Sequence, residues 1–257
     1  MKIRLADLPV EWQDEYSDFV SAFEDKSDGE SVMNVAFSDT IPECHGIQYF
    51  ESVAAHTLRL PGGEMLCADE DWSDVTGYFT EKNGEYALAL AALCSRFSYF
   101  STLLLHASCV DVGGEGVVFA GFSGVGKTTQ AKLWQEHLGA EIINGDKILL
   151  KEENGEAYAY GLPWKGSSEF CLNKKTKLRA VVVLRQAKEN RITKLVPSAS
   201  NEYFLPHIFM PAWDRKCVCN MLDTYEKLLA AVPVYLLECR PDEDAVRLVY
   251  ETTEWKN

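Results

Sequence analysis

The sequence predicts an α/β protein built on a mixed sheet, with a small β-rich region, 1–84, ahead of a phosphate-loop domain, 85–257. Three observations carry this reading. Gly121-Phe122-Ser123-Gly124-Val125-Gly126-Lys127-Thr128 fits G-x-x-x-x-G-K-[ST], whose glycines turn successive backbone N–H groups into a concavity for phosphate oxygens. An apolar β-prone run, 116–120, enters that loop and a helix-forming run from Lys127 leaves it, which is the context the motif requires. Elsewhere, short apolar runs bounded by turn residues alternate with stretches of helical period.

In chain order, Lys2–Leu5, Val32–Phe37, Ile47–Phe50 and His56–Leu60 read as strands, with Pro61-Gly62-Gly63 as a turn. His45 and His56 in this region read as ordinary strand or surface residues. Tyr86, Leu90, Leu93, Phe97, Phe100 and Leu104 recur at steps of four and three, the stripe of a core-facing helix. His106–Val112 and the strand entering the loop form a hairpin turned at Gly113-Gly114, which brings His106 back toward the loop. The helix from Lys127 stops at Gly139, a residue suited to a left-handed C-terminal cap, and Glu141–Asn144 re-enters a strand. Asn154-Gly155 turns a second hairpin between Ile148–Lys151 and Ala157–Tyr160. Gly161–Glu169 follows as a polar and aromatic loop of the kind that carries function. Leu178–Leu184 is an apolar strand, with Arg191–Val196 expected as its partner. A short helix over Ala199–Leu205 is ended by Pro206, and a longer one runs over Trp213–Ala231. Val232–Cys239 reads as an edge strand because of Pro233, and Asp242 caps a closing helix through Glu254.

The 257 residues carry a formal charge of −14 with 47% apolar residues, enough for a core and opposed to a nucleic-acid or anionic-membrane surface. Eight cysteines form no C-x-x-C pair, and the first residues lack an apolar signal core, so free thiols in a cytoplasmic protein are expected. Cys217 and Cys219 are expected on two sides of one helix, not as a ligand pair. The longest apolar run, Tyr86–Leu105, is broken by Ser95, Arg96, Ser98 and Ser101, which a bilayer would penalise.

The candidate phosphate-binding residues are Gly121, Ser123, Gly124, Val125, Gly126, Lys127, Thr128 and Thr129, with Lys127 reaching the β/γ-phosphates. Thr128 and Asp146 are the candidate Mg²⁺ ligands, because a carboxylate at a strand tip beside such a loop can hold the metal directly or through water. The commoner nucleotidase signatures are missing. Asn173-Lys174-Lys175-Thr176 lacks the carboxylate of a guanine-reading N-K-x-D, and Val181–Leu184 ends in Arg185 and not in an acidic residue.

The run from Leu105-His106-Ala107-Ser108 through the glycine loop to Ile142-Ile143-Asn144-Gly145-Asp146 resembles the HPr kinase/phosphorylase catalytic domain, whose core is shared with phosphoenolpyruvate carboxykinase. The resemblance covers Leu104 to the C-terminus. It implies ATP and Mg²⁺, a hydroxyl-bearing acceptor that is a small molecule, peptide or protein, catalytic roles for Lys127, Asp146 and His106, and self-association. One departure matters: the family has two adjacent aspartates where this chain has Gly145-Asp146. The base is then Asp146, His106 or Glu169. An ATP-dependent kinase is the leading expectation. The alternative is an ATP-binding regulatory or scaffold module with little catalysis, and carboxykinase activity is disfavoured by the absence of a second Lys/His/Arg cluster.

Overall fold

Strict alternation of buried and half-buried side chains builds the first sheet. β1 (Lys2–Leu5) and β2 (Leu8–Gln13) each turn every second residue inward, burying Ile3, Leu5, Val10 and Trp12. The structure is a computed structural model that describes residues 1–13, 18–39, 54–60, 63–79, 82–166 and 168–255. The expected strand Ile47–Phe50, His45, and Pro61-Gly62 lie outside the described residues. β3 (Met33–Ser38), β4 (His56–Arg59), β5 (Met65–Ala68) and β6 (Asp74–Tyr78) complete a mixed six-stranded sheet in the order β1-β2-β3-β6-β5-β4. α1 (Lys82–Phe97) packs on β3, β5 and β6 through Leu88, Ala89, Ala92 and Leu93. It stops earlier than its periodic stripe, because Ser101 takes a left-handed φ of 50° and Leu104 belongs to the next strand. By contacts, this first unit comprises Met1–Phe100 with Pro211–Val218. The division therefore falls after Phe100, not at residue 84, since α1 buries its apolar stripe on the first sheet.

The second unit is Ser101–Met210 with Cys219–Asn257. β7 (Thr102–Val112) and β8 (Glu115–Ala120) form the expected hairpin, with Gly113 and Gly114 both left-handed. α2 (Lys127–Leu138) ends on Gly139 at φ 64°. β9 (Glu141–Asn144) pairs with β7, and β10 (Lys147–Glu153) and β11 (Glu156–Gly161) turn at Asn154-Gly155, with φ values of 54° and 83°. β12 (Lys175–Gln186) runs parallel to β8, and β13 (Arg191–Lys194) is antiparallel to a later strand. α3 (Pro197–Tyr203), α4 (Arg215–Ala231), β14 (Val234–Cys239) and α5 (Glu243–Thr252) close the chain. The eight-stranded sheet has the order β11-β10-β7-β8-β12-β14-β13 with β9 on β7. Because β11 also pairs with the start of β12, five of its strands close into a ring.

Two expectations about this sheet are corrected. β13 pairs with β14 and not with β12, and β14 lies inside the sheet between β12 and β13. Pro233 stands just before β14, so no ladder donor is missing, and its carbonyl accepts from the Val181 amide at 3.0 Å. β8 faces both ways. Val118 and Ala120 pack under α4, with Met221, Tyr225 and Leu228, while Val117 and Phe119 pack under α2 and α5, with Trp134 and Val249. This double burial is what makes β8 read as a continuous apolar run, and it fixes where the glycine loop emerges. Cys217 is buried and Cys219 exposed on α4, and the seven described cysteines are free. No described helix is long and apolar enough to cross a membrane.

Candidate functional site

The glycine loop leaves β8 at the carboxyl end of the sheet and delivers the chain into α2. Gly121, Gly124 and Gly126 have φ of 152°, 78° and 113°, values that side-chain-bearing residues avoid. At Gly121 a Cβ would also stand 2.7 Å from Val125 Cγ1 and 3.3 Å from the Leu184 carbonyl, so the loop closes tightly on β12. Lys127 is buried, and its ammonium donates to the carbonyls of Gly121 at 2.9 Å and Phe122 at 3.2 Å. The lysine thus lies folded into the loop that would hold phosphates. Burial pushes its pKa down; Asp146 opposes this and Lys147 adds to it, which puts both groups within electrostatic reach of the ammonium.

Thr128 lies in the first turn of α2, and its hydroxyl donates to the Gly145 carbonyl at 3.0 Å, tying the loop to the turn after β9. This turn is built by Asn144. Its side-chain oxygen accepts from the amides of Asp146 at 2.8 Å and Lys147 at 3.1 Å, and its amide donates to the carbonyls of Leu162 and Trp164. All four positions of a fully buried side chain are used. Asp146 is thereby held beside His106 of β7, whose neighbour across the ladder is Lys147. The His106 Nε2 to Asp146 Oδ1 distance is 3.0 Å, and Lys147 Nζ donates to Asp146 Oδ2 at 2.5 Å. Burial pushes the Asp146 pKa up, but the hydrogen bonds from His106 and Lys147 outweigh it and hold the carboxyl at about 2.

The structure brings Lys127, Thr128, Asp146 and His106 into one cluster. Glu169 stands apart, exposed and 3.7 Å from Lys132 on α2. Gly145 is tight: a Cβ there would meet Ser168 Oγ at 2.4 Å, so Ser168 occupies the space a second carboxylate would need. Gly166, at φ 58°, lies over Asp146, and a Cβ on it would stand 2.5 Å from Oδ2. The loop after β11 is therefore the wall of this site.

Sequence reasoning missed Lys147, Asn144, Gly166, Ser168 and His207. Lys147 left a signal, as a charge ahead of the apolar run Ile148–Leu150 directly after Asp146, and Gly166 and Ser168 lie in the loop read as one that carries function. His207 follows Pro206 in a short 3-10 turn and makes an edge contact with Phe122 at 4.9 Å between ring centres. Burial, then the charges of Lys127 and His106, hold its pKa below the ordinary value.

Two cavities flank the loop. One of about 580 Å³ lies on the α3 side, lined by Phe122, Arg185, Tyr203 and His207. The other, about 410 Å³, is lined by Gly126, Thr129, Gln130, Gln186, Arg240 and Pro241, at the carboxyl ends of β12 and β14.

No family model matches the chain, and no curated protein matches it. Among solved structures it is similar to the Hpr(Ser) kinase/phosphatase from Coxiella burnetii, at 13% identity and a TM-score of 0.36, over 59% of this chain and 99% of that one.

Proposed function

We propose that the chain is an ATP-dependent kinase that transfers the γ-phosphoryl group to a hydroxyl of a small molecule, peptide or protein. The observation that carries this is the buried Lys127 ammonium, held on the carbonyls of a left-handed glycine loop beside the Asp146–His106 pair. The loop amides and Lys127 bind and orient the β/γ-phosphates, and the cavity at Arg240 and Gln186 receives the nucleoside, because ligands of parallel strands sit at their carboxyl ends. His106 Nε2–H donates to Asp146, a bond that fixes the tautomer and leaves Nδ1 as the lone pair able to take the acceptor proton. Asp146 is held at about 2 with both oxygens engaged by His106 and Lys147, which leaves it a poor base. Such a transfer asks more for position and charge neutralisation than for a strong base.

Mg²⁺ fits these donors in one way. The Thr128 hydroxyl donates to a carbonyl and keeps its lone pairs for a metal, while both Asp146 oxygens are engaged by His106 and Lys147, so Asp146 would act through water. When bound, the metal would supply charge neutralisation at the phosphate oxygens.

Gly145 favours a second reading, an ATP-binding regulatory module. Calorimetric titration of Mg-ATP into wild type and Lys127→Ala, followed by ATP turnover with cell extract as acceptor source, separates the two. Binding lost in the variant together with extract-stimulated turnover is expected. Binding without turnover supports the regulatory module, and no binding by wild type sinks both.

A further inference from the structure

Resting on the phosphate-loop reading above, we propose that Lys147 is a resident cation of this site. Its ammonium keeps a divalent metal from ligating Asp146 directly and stands with Lys127 as a second protein charge facing the bound phosphates. Four features lead there. The Lys147 side chain is only 9% exposed, and its ammonium meets Asp146 Oδ2 at 2.5 Å. Its position is not a surface accident, because the backbone amides of Asp146 and Lys147 are both fixed by Asn144 and the ammonium lies over the Phe209 ring, 5.9 Å from its centre. The other carboxylate oxygen is held by His106 at 3.0 Å, and the Gly166 backbone closes over Oδ2, so a metal on that oxygen must displace the lysine. Finally, Ser168 fills the space beside Gly145 that a second carboxylate would need, and the described residues form no group of three or more His, Cys, Asp or Glu side chains that could hold a metal ion.

The charges make the same point. Lys127 and Lys147 face one carboxylate, a balance that suits phosphate oxygens and opposes a bare divalent cation. Lys147 is a positioning residue in this account, since it acts through Asp146 and through its own charge.

Mn²⁺ binding followed by electron paramagnetic resonance, without nucleotide, tests the idea in wild type, Lys147→Met, Lys147→Arg and the double variant Lys147→Met/Asp146→Asn. The expected result is Mn²⁺ affinity about 10–100-fold higher in Lys147→Met than in wild type. That gain should vanish in the double variant, and Lys147→Arg should resemble wild type. Equal affinity in wild type and Lys147→Met overturns the proposal. Should Lys147→Met fail to fold, wild type alone decides through calorimetry of ATP with Mg²⁺ and with EDTA. Affinities within about tenfold of each other are expected from two facing lysines. A loss beyond about a hundredfold in EDTA removes the resident cation. Absence of ATP binding in both conditions would instead strike the phosphate-loop reading and take this proposal with it, whereas the Mn²⁺ comparison needs no nucleotide.

Discussion

At Asn144 the cost of a single side chain can be read directly from its bonds. Asn144→Ala leaves two amides and two carbonyls unpartnered at a position with no solvent access, and a loss of about 3 kcal/mol is expected, with part of the deficit made up by local relaxation. Thermal melting should show a fall of about 6–12 °C, and a shift under about 2 °C would mean the turn does not depend on it. Gly145 gives a sharper case. Gly145→Asp, which restores the pair of aspartates, drives its Cβ into Ser168 and is expected to cost about 1–3 kcal/mol without raising ATP turnover. Adding Ser168→Gly should recover the lost stability; if the single variant is already as stable as wild type, the steric account is wrong. Lys127 and Thr128 were readable from the motif, Asp146 from its place at a strand tip beside the loop, and His106 from the hairpin turned at Gly113-Gly114. Asn144 and Ser168 were not, since a buried polar residue in a turn and a serine in a loop look like any other until the backbone they hold is known.

Among the elements, the hairpins were the most legible part of the fold. Gly113-Gly114 and Asn154-Gly155 take the left-handed values their residue types allow, and Asp242 accepts from the Ala245 amide as an N-terminal cap. The turn Ala6-Asp7 escaped notice because two side-chain-bearing residues, at φ 51° and 62°, do what glycine or asparagine usually does. Pairing of β12 with β8 was invisible for another reason, which is that it depends on a long-range polar cluster. Asp111 is buried, accepting from Thr176 Oγ1 at 2.5 Å, Lys174 Nζ at 2.9 Å and the Gly114 amide at 3.1 Å. Gly116 makes room for it, since a Cβ there would stand 2.4 Å from Thr176 Cγ2. Burial pushes the Asp111 pKa up, but these donors carry it below its ordinary 3.8. A depressed carboxylate stabilises the fold above its ordinary pKa, and that contribution is lost as the pH falls through the folded value. Asp111→Asn should therefore lower the urea midpoint at pH 7, by about 1–3 kcal/mol in stability, with the gap to wild type closing as the pH falls below about 4. A gap that stays constant from pH 7 to pH 3 would remove the charge from the explanation.

For the whole molecule, the return of 211–218 to the first unit is a feature no local pattern announces. Helical period identified α4 but could not say that its opening belongs with residues a hundred positions earlier. The bonds that achieve this are specific. Trp72, left-handed at φ 62° and fully buried, donates its Nε1–H to Asp214 Oδ2 at 2.8 Å, and His56 stacks on the Trp72 ring at 4.7 Å. The other Asp214 oxygen accepts from the amides of Lys216 at 2.8 Å and Cys217 at 3.3 Å, capping the start of α4. Trp213 Nε1 donates to Ser95 Oγ at 3.0 Å. A chain cut to residues 101–257 keeps the glycine loop and every residue of the proposed catalytic cluster, yet it strips Asp214 of Trp72 and Trp213 of Ser95. Loss of these two bonds is worth about 1 kcal/mol each, and the apolar surface uncovered around Trp213 and Cys217 favours association. The fragment is expected to melt below the full chain and to aggregate on concentration, while Trp72→Phe in the full chain should lose about 1–2 kcal/mol through the indole bond to Asp214 Oδ2. Side-by-side melting of the three proteins checks this. If the fragment melts with the full chain and stays monomeric by sedimentation, the segment 211–218 is carried by α4 alone, and the first hundred residues are dispensable to the fold of the phosphate-loop unit.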